Sequence, residues 1–214
     1  MATVLLTDTS RPWVSPLAKA LGERGYAVDT IAGAPGEARP APRGCYPAVA
    51  VLDAGESAPT EGQVAELRAT TGASVIVLIE DANFLDRLEA YEAGADDCLS
   101  EPVRADRLVD AIGPLSRRRG RPDAEAADDD AGVGCLPLER RILAALMDQA
   151  GRSVTVQQLI VEVWGPGRSD EESVARLYLG SLRRKLAAEG PGRWRLLTDD
   201  TGYRLLRSLP SDQE

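Results

Sequence analysis

The apolar positions of this chain fall into two regimes. Up to residue 118 they gather in short β-rich runs: TVLLT (3–7), YAVDTI (26–31), PAVAVL (47–52), SVIVLI (74–79) and DDCLS (96–100). Helical segments separate most of these, at about Ser15 to Arg24, Glu61 to Thr70, Phe84 to Ala93 and Ala105 to Leu115. Alternating β and α units predict a five-stranded, doubly wound parallel sheet of the flavodoxin-like class. One crossover is irregular, because Pro35, Pro40, Pro42 and Pro47 oppose a helix over 32–47. In such sheets the ligand site lies at the carboxyl ends of the strands. Asp8, Asp53, Ile79 and Glu101 stand at or just beyond those ends, so they are expected to converge.

After residue 134 helical spacing dominates. LPLERRILAALMDQAG (136–151) is amphipathic through Leu138, Ile142, Leu146 and Met147, with Gly151 as its C′ residue. Thr155 and Gln158 form a capping box that opens a helix with Leu159 and Val163 inward, ending near Trp164. WGPGRSD (164–170) reads as a loop. A long helix follows from Glu171 to Leu186. At about 100° per residue, Ala175, Leu179, Leu182 and Leu186 make one apolar stripe. Arg176, Leu177, Gly180, Ser181 and Arg184 fall opposite, with Arg183 and Lys185 on the flanks. One face docks on a core; the other carries cations, a hydroxyl and bare backbone, as a major-groove helix requires. A solvated basic surface helix has the same pattern, and the neighbouring elements decide between them. RWRLLT (193–198) and TGYRLL (201–206) flank an Asp199-Asp200 turn, giving a β-hairpin. Three helices and a terminal hairpin describe a winged helix-turn-helix.

Charge sharpens this division. The 214-residue chain carries −9 overall: −7 over residues 1–118, −3 over 119–134 and +1 over 135–214. Cations therefore concentrate toward the C-terminal domain, where nonspecific DNA affinity is expected to be weak and salt-sensitive. A dimer presenting two recognition helices would compensate. SRRRGRPDAEAADDDAGVG (116–134) is charged and poor in packing residues, so 119–134 reads as an acidic flexible linker. The domains are 1–118, a winged domain over 135–208, and a tail over 209–214. Cys45, Cys98 and Cys135 are odd in number and widely spaced, and there is no histidine. A Cys/His zinc site and histidine acid–base chemistry are thereby excluded, and a reducing cytoplasm is expected. No apolar run approaches a membrane span, and no signal peptide is read.

The strings VWGPG, VARLYLGSLRRKL and TGYRL, in this order and spacing, resemble the effector domain of the OmpR/PhoB family of response regulators, within it the potassium-sensing KdpE-like branch. The resemblance covers about residues 136–206. It implies double-stranded DNA as partner, Glu171 to Leu186 as recognition helix, 164–170 as a loop able to meet RNA polymerase, and 193–206 as the wing. It carries Arg176, Leu177 and Ser181 to base-contacting positions and Arg183, Arg184 and Lys185 to phosphates. Tyr203 and Arg204 on the wing complete the expected DNA-binding set. The chain departs from the family at the wing tip, where Asp199-Asp200 replaces a basic residue and would repel phosphates. The wing is also about one residue shorter. Gly180 at mid-helix costs roughly 1 kcal/mol against Ala. Tyr178 reads as a packing residue, and the linker leaves almost no room for the family's small sheet ahead of the first effector helix.

Residues 1–118 resemble the receiver domain of the same regulators through Asp8, Asp53, GADD (94–97) and Glu101-Pro102. The resemblance implies that Asp53 is the phosphoacceptor position and that Thr7 and Asp8 occupy the paired magnesium-holding positions. It puts Ile79 at the family's Thr/Ser, Cys98 at its aromatic switch position and Glu101 at its lysine. Aspartyl phosphorylation needs a divalent ion and a cation around the transferring group. Here one carboxylate is lost, the cation has become an anion, and the hydroxyl has become a hydrocarbon. The expectation is a receiver not switched by phosphate, with no cofactor and an impaired magnesium site. Asp8, Asp53 and Glu101 would crowd together without a fixed counter-ion, which calls for a raised carboxyl pKa, a metal ion or an arginine.

The family's dimer face maps onto Arg87, Leu88, Tyr91, Asp96, Val109 and Arg118. Arg87 would face Arg107, so the usual ion-pair net is eroded. Asp96 with Arg118, and an apolar patch of Leu88, Tyr91 and Val109, would sustain a phosphorylation-independent homodimer. The leading function is a DNA-binding transcription regulator and not an enzyme. The alternatives are a ligand-sensing pseudo-receiver with a small-molecule effector, and a protein-interaction adaptor that no longer binds DNA.

Overall fold

The computed structural model describes residues 2–7, 11–31, 47–118, 134–189 and 194–207. Asp8, Cys45, the proline-rich crossover 32–46, the linker 119–133 with any sheet inside it, and the tail lie outside the described residues. The chain divides into two units, Met1–Arg119 and Gly120–Glu214.

The first unit runs β1 (Thr3–Thr7), α1 (Val14–Glu23), β2 (Ala27–Ile31), β3 (Val49–Asp53), α2 (Glu61–Thr71), β4 (Ser74–Glu80), α3 (Phe84–Glu92), β5 (Asp97–Glu101) and α4 (Ala105–Arg118). The five strands are parallel in the order β2-β1-β3-β4-β5, as the alternating pattern predicts. The chain leaves β1 and β3 toward opposite edges, so a crevice opens at their carboxyl ends. β3 and β4 are nearly continuous apolar runs because helices cover both faces of the sheet. Val4, Leu6, Val51, Ile76 and Leu78 pack on Leu17 and Leu21 of α1 and Leu108, Ile112 and Leu115 of α4. Each such buried Leu or Ile contributes roughly 1.5–3 kcal/mol. Capping boxes at Thr60/Gln63 and Asn83/Asp86 start α2 and α3 and fix where the loops at the ligand edge end. α4 continues past Pro114 to Arg118, three residues beyond the expected end.

The second unit runs α5 (Pro137–Asp148), β6 (Ser153–Val154), α6 (Val156–Trp164), a 3₁₀ turn (Ser169–Glu171), α7 (Glu172–Ala188), β7 (Trp194–Asp199) and β8 (Gly202–Arg207). Three helices carry an antiparallel sheet in the order β6-β8-β7, so this is a winged helix-turn-helix. β6 was not foreseen, since two residues leave no periodic signal. α5 ends at Asp148, short of the expected 151. Gly151, at φ +83°, instead donates its N–H to the Leu205 carbonyl at 2.9 Å and leads the chain into the sheet. The capping box of Thr155 and Gln158 opens α6, which buries Leu159, Ile160, Val163 and Trp164.

Candidate nucleic-acid interface and receiver pocket

α7 is two-faced, as its pattern requires. Val174, Ala175, Tyr178, Leu179, Leu182 and Leu186 are buried, which agrees with the packing role read for Tyr178. Arg176, Leu177, Arg183 and Arg184 are exposed on the outer face. A Cβ at Gly180 would meet nothing within 4 Å, so the backbone there is open. Ser181 and Lys185 depart from the expected groove-facing set. Ser181 Oγ donates to Glu139 Oε1 at 2.8 Å, and Lys185 Nζ donates to Glu139 Oε2 at 2.5 Å and to the Gly134 carbonyl at 2.8 Å. Glu139 is only 1% exposed, and its carboxylate also caps the Leu136 N–H at 2.8 Å. A buried carboxylate demands partners, and this one turns both side chains toward α5.

Arg176 is exposed but not slack. Its Nη2 and Nε donate to Glu172 Oε1 at 2.7 and 3.1 Å. Glu172 is the main reason the Arg176 pKa is raised, and Tyr203 on β8 adds a smaller contribution.

The wing corrects two expectations. β7 and β8 pair from Trp194↔Arg207 to Asp199↔Gly202, so the turn is Asp200-Thr201 and not Asp199-Asp200. The slip arises because Asp199 is a paired strand residue with its carboxylate turned inward. That carboxylate accepts from Ser153 Oγ (2.9 Å), Thr201 Oγ1 (2.6 Å), the N–H groups of Thr201 (2.9 Å) and Gly202 (3.0 Å), and Arg204 Nη2 (2.9 Å). These bonds, Thr201's hydroxyl foremost, hold its pKa far below the usual carboxylate range. Asp199 is thus an internal acceptor of the turn, and Asp200 is the exposed carboxylate at the tip. Arg204, expected in the DNA-binding set, pairs with Asp199. Tyr203 is half-buried beside a cleft of about 340 Å³ between the wing turn, the start of α6 and the first turn of α7.

In the receiver, Asp53 ends β3 at the crevice with its side chain 3% exposed. Arg11 Nε donates to Asp53 Oδ2 at 2.6 Å, and Arg11 Nη2 and the Gly55 N–H donate to Oδ1 at 3.2 and 2.9 Å. Arg11 also bridges to Glu80 Oε1 at 2.7 Å. The Asp53 hydrogen bond, then Glu80, push the Arg11 pKa further up. So Asp53 has a fixed counter-ion, the arginine that the expected carboxylate crowding allowed for, though the sequence did not single out Arg11. The available signal was position: Arg11 lies four residues past β1, in the loop at the ligand edge. Thr7 is held in the sheet, donating to the Val51 carbonyl at 3.1 Å and accepting from the Asp53 N–H at 3.3 Å. Ile79 and Cys98 are core residues, 0% and 1% exposed. Glu101 ends β5 at 9% exposure; burial raises its pKa most, Asp53 adds to the rise and Arg11 opposes it. Asp8 lies outside the described residues. Among those described, no group of three or more His, Cys, Asp or Glu residues could hold a metal ion. Arg11 thus engages both oxygens of Asp53, the carboxylate expected beside the magnesium positions.

Two members of the expected dimer face, Tyr91 and Asp96, are buried. Tyr91 is 0% exposed and its hydroxyl donates to Asp97 Oδ1 at 3.1 Å, so it is a core residue. Asp96 accepts from Arg68 Nη2 and the Val75 N–H, both at 2.8 Å, within the receiver. At 6% exposure its charge needs a fixed partner, and Arg68 of α2 is one; the Arg118 side chain lies outside the described residues. Arg87, Leu88 and Val109 are half-buried at the surface, and Phe84 and Leu85 are exposed beside Leu88.

Residues 130–205 match the family described as "Transcriptional regulatory protein, C terminal". The chain is 31% identical over 224 residues to the transcriptional regulatory protein KdpE of Mycobacterium tuberculosis (strain H37Rv), covering 95% of this chain and 99% of the relative. It is 32% identical over 162 residues to the KDP operon transcriptional regulatory protein KdpE of Escherichia coli (strain K12), covering 67% and 72%. It shares its fold with the solved structure of a RitR mutant, at TM-score 0.63 and 18% identity over 97% of this chain and 100% of that one. With a doubly wound receiver and a winged effector both present, the chain belongs to the OmpR/PhoB family of response regulators, which bind DNA and regulate transcription.

Proposed function

We propose that this regulator works as a cytoplasmic homodimer on double-stranded DNA and is controlled without aspartyl phosphorylation. The observation that carries this reading is Arg11 on both oxygens of Asp53. A phosphoacceptor needs a carboxylate oxygen free to attack and cations around the transferring group. Here a guanidinium from the same chain already neutralises that carboxylate. Glu101, at the position where the family resemblance puts a lysine, offers negative charge in place of positive.

Arg183 and Arg184 supply the phosphate contacts, and Arg176 and Leu177 face the bases. Phe84, Leu85, Leu88 and Val109 offer apolar surface for dimerisation through α3 and α4. The exposed rim Pro166, Gly167, Ser169 and Asp170 is the segment suited to RNA polymerase, anchored from below by Arg168. No enzymatic activity is included in the proposal. Affinity for the gene's own promoter, measured with and without beryllofluoride and Mg²⁺ as phosphoryl mimic, tests the reading. Equal affinities are expected; a rise of tenfold or more with the mimic would overturn it. Absence of any specific, salt-dependent promoter binding would favour the adaptor.

A further inference from the structure

The first turn of α7 holds a three-residue chain of hydrogen bonds that the DNA contacts described so far do not use. Gln157 Nε2, on α6, donates to Glu172 Oε2 at 3.0 Å. Glu172 Oε1 accepts from Nε and Nη2 of Arg176, one turn further along α7, at 3.1 and 2.7 Å. All three residues line the cleft between α6, α7 and the wing turn. The Arg176 side chain is 56% exposed, so this chain is open to a ligand.

We propose that Glu172, itself held by Gln157, is a positioning residue that presets Arg176 to read a guanine in the major groove. The inference rests on the DNA-binding function of the family and deepens it. Arginine has five N–H donors in a fixed planar fork. Glu172 takes Nε–H and one Nη2–H from one edge of that fork. The other Nη2–H and both Nη1–H remain, and the pair at the far end matches O6 and N7 of guanine. Holding the guanidinium in place removes rotamer freedom that a free arginine would lose on binding. The carboxylate has a second effect: it opposes attraction to phosphate at every sequence. Glu172 therefore weakens nonspecific binding while sharpening choice at one base pair. A plain exposed i,i+4 ion pair would supply the repulsion but would leave the guanidinium free to reorient, and would chiefly support the helix. The link to Gln157 on a different helix is what makes this more than such a pair.

The test is selection of binding sites from a randomised duplex library by the full chain, followed by competition titrations, for the parent, Glu172→Ala, Glu172→Gln and Gln157→Ala. The parent is expected to select a motif with one guanine per half-site that Arg176→Ala no longer selects. Glu172→Ala is expected to lower preference for that guanine about tenfold, leave the other positions unchanged, and raise nonspecific affinity. Gln157→Ala should shift the same position in the same direction by a smaller factor. Glu172→Gln keeps an acceptor without the charge and should retain most of the preference. If Glu172→Ala fails to fold, Gln157→Ala alone decides. Profiles within twofold of the parent in the folded variants, or equal losses at all positions, would overturn the proposal and leave DNA binding intact. A parent chain that selects no sequence would overturn both.

Discussion

The loop entering α7 is pinned by an ion pair cut off from water. Arg168 Nη2 donates to Glu171 Oε1 at 2.9 Å, and both side chains are 0% exposed. Beside it, Arg141 Nη2 donates to the Val163 carbonyl near the end of α6. Replacing Arg168 by Met removes a charged partner from the fully buried Glu171 carboxylate. Loss of one partner from such a pair costs about 3–5 kcal/mol. That is a large share of the roughly 5–15 kcal/mol that holds a typical domain folded. Replacing both charges, as Arg168→Met/Glu171→Leu, removes the two desolvation penalties together, so the double variant is expected within about 1–2 kcal/mol of the parent. Coupling between the sites is therefore expected at about 2 kcal/mol or more. Two folding units make a single melting transition a poor measure, so native-state hydrogen exchange of peptides from α5 to α7 in the full chain is the assay. Raising NaCl from 0.1 to 0.5 M should leave the coupling unchanged, since the pair is unscreened by solvent. A single variant losing under 1 kcal/mol, or a double variant losing the sum of both singles, would refute the reasoning.

Three further perturbations follow from other sites. A methyl group at Gly202 would run into the Val154 carbonyl across β6 and β8, so Gly202→Ala is expected to destabilise the winged domain by about 1–3 kcal/mol; unchanged exchange protection in β8 would contradict this. Burial holds the Glu101 pKa above its ordinary 4.5, so the folded receiver keeps a proton that the unfolded chain releases, and stability falls as pH rises through the raised value. Glu101→Gln removes that fall; hydrogen-exchange protection of receiver peptides should be higher in the variant than in the parent at pH 7 and lose the advantage at pH 4, and lower protection at pH 7 would count against the burial argument. Arg183→Ala/Arg184→Ala should weaken binding to all sequences and lower the salt slope of log affinity by about 2, whereas an unchanged slope would mean these residues do not meet phosphates.

Much of the fold is legible along the chain because its signals are local. The apolar runs of β3 and β4 mark buried parallel strands, and Thr155 with Gln158 marks the start of α6 within one turn. The two faces of α7 follow from spacing alone for Arg176, Leu177, Arg183 and Arg184. What the sequence hides is pairing across distance. Glu139 lies 42 residues from Ser181, and no periodicity tells that its buried carboxylate draws in both Ser181 and Lys185. Arg11 lies 42 residues from Asp53 and becomes its counter-ion only when β1 and β3 stand side by side. Asp96 likewise finds Arg68, 28 residues away. The hairpin slipped by one residue because Asp-Asp reads as a turn, while Asp199 in fact closes the ladder and caps the turn from within.

The proposal that the receiver works without aspartyl phosphorylation is tested most directly by mass. The full chain and Arg11→Ala are incubated with a small-molecule phosphodonor and Mg²⁺, and phosphate on Asp53 is read from the intact mass and from peptides spanning residue 53. No adduct is expected on the parent chain, and none above a trace on the variant, where Glu101 still opposes the incoming group. Stoichiometric, Mg²⁺-dependent phosphorylation of Asp53 in the parent would contradict the account.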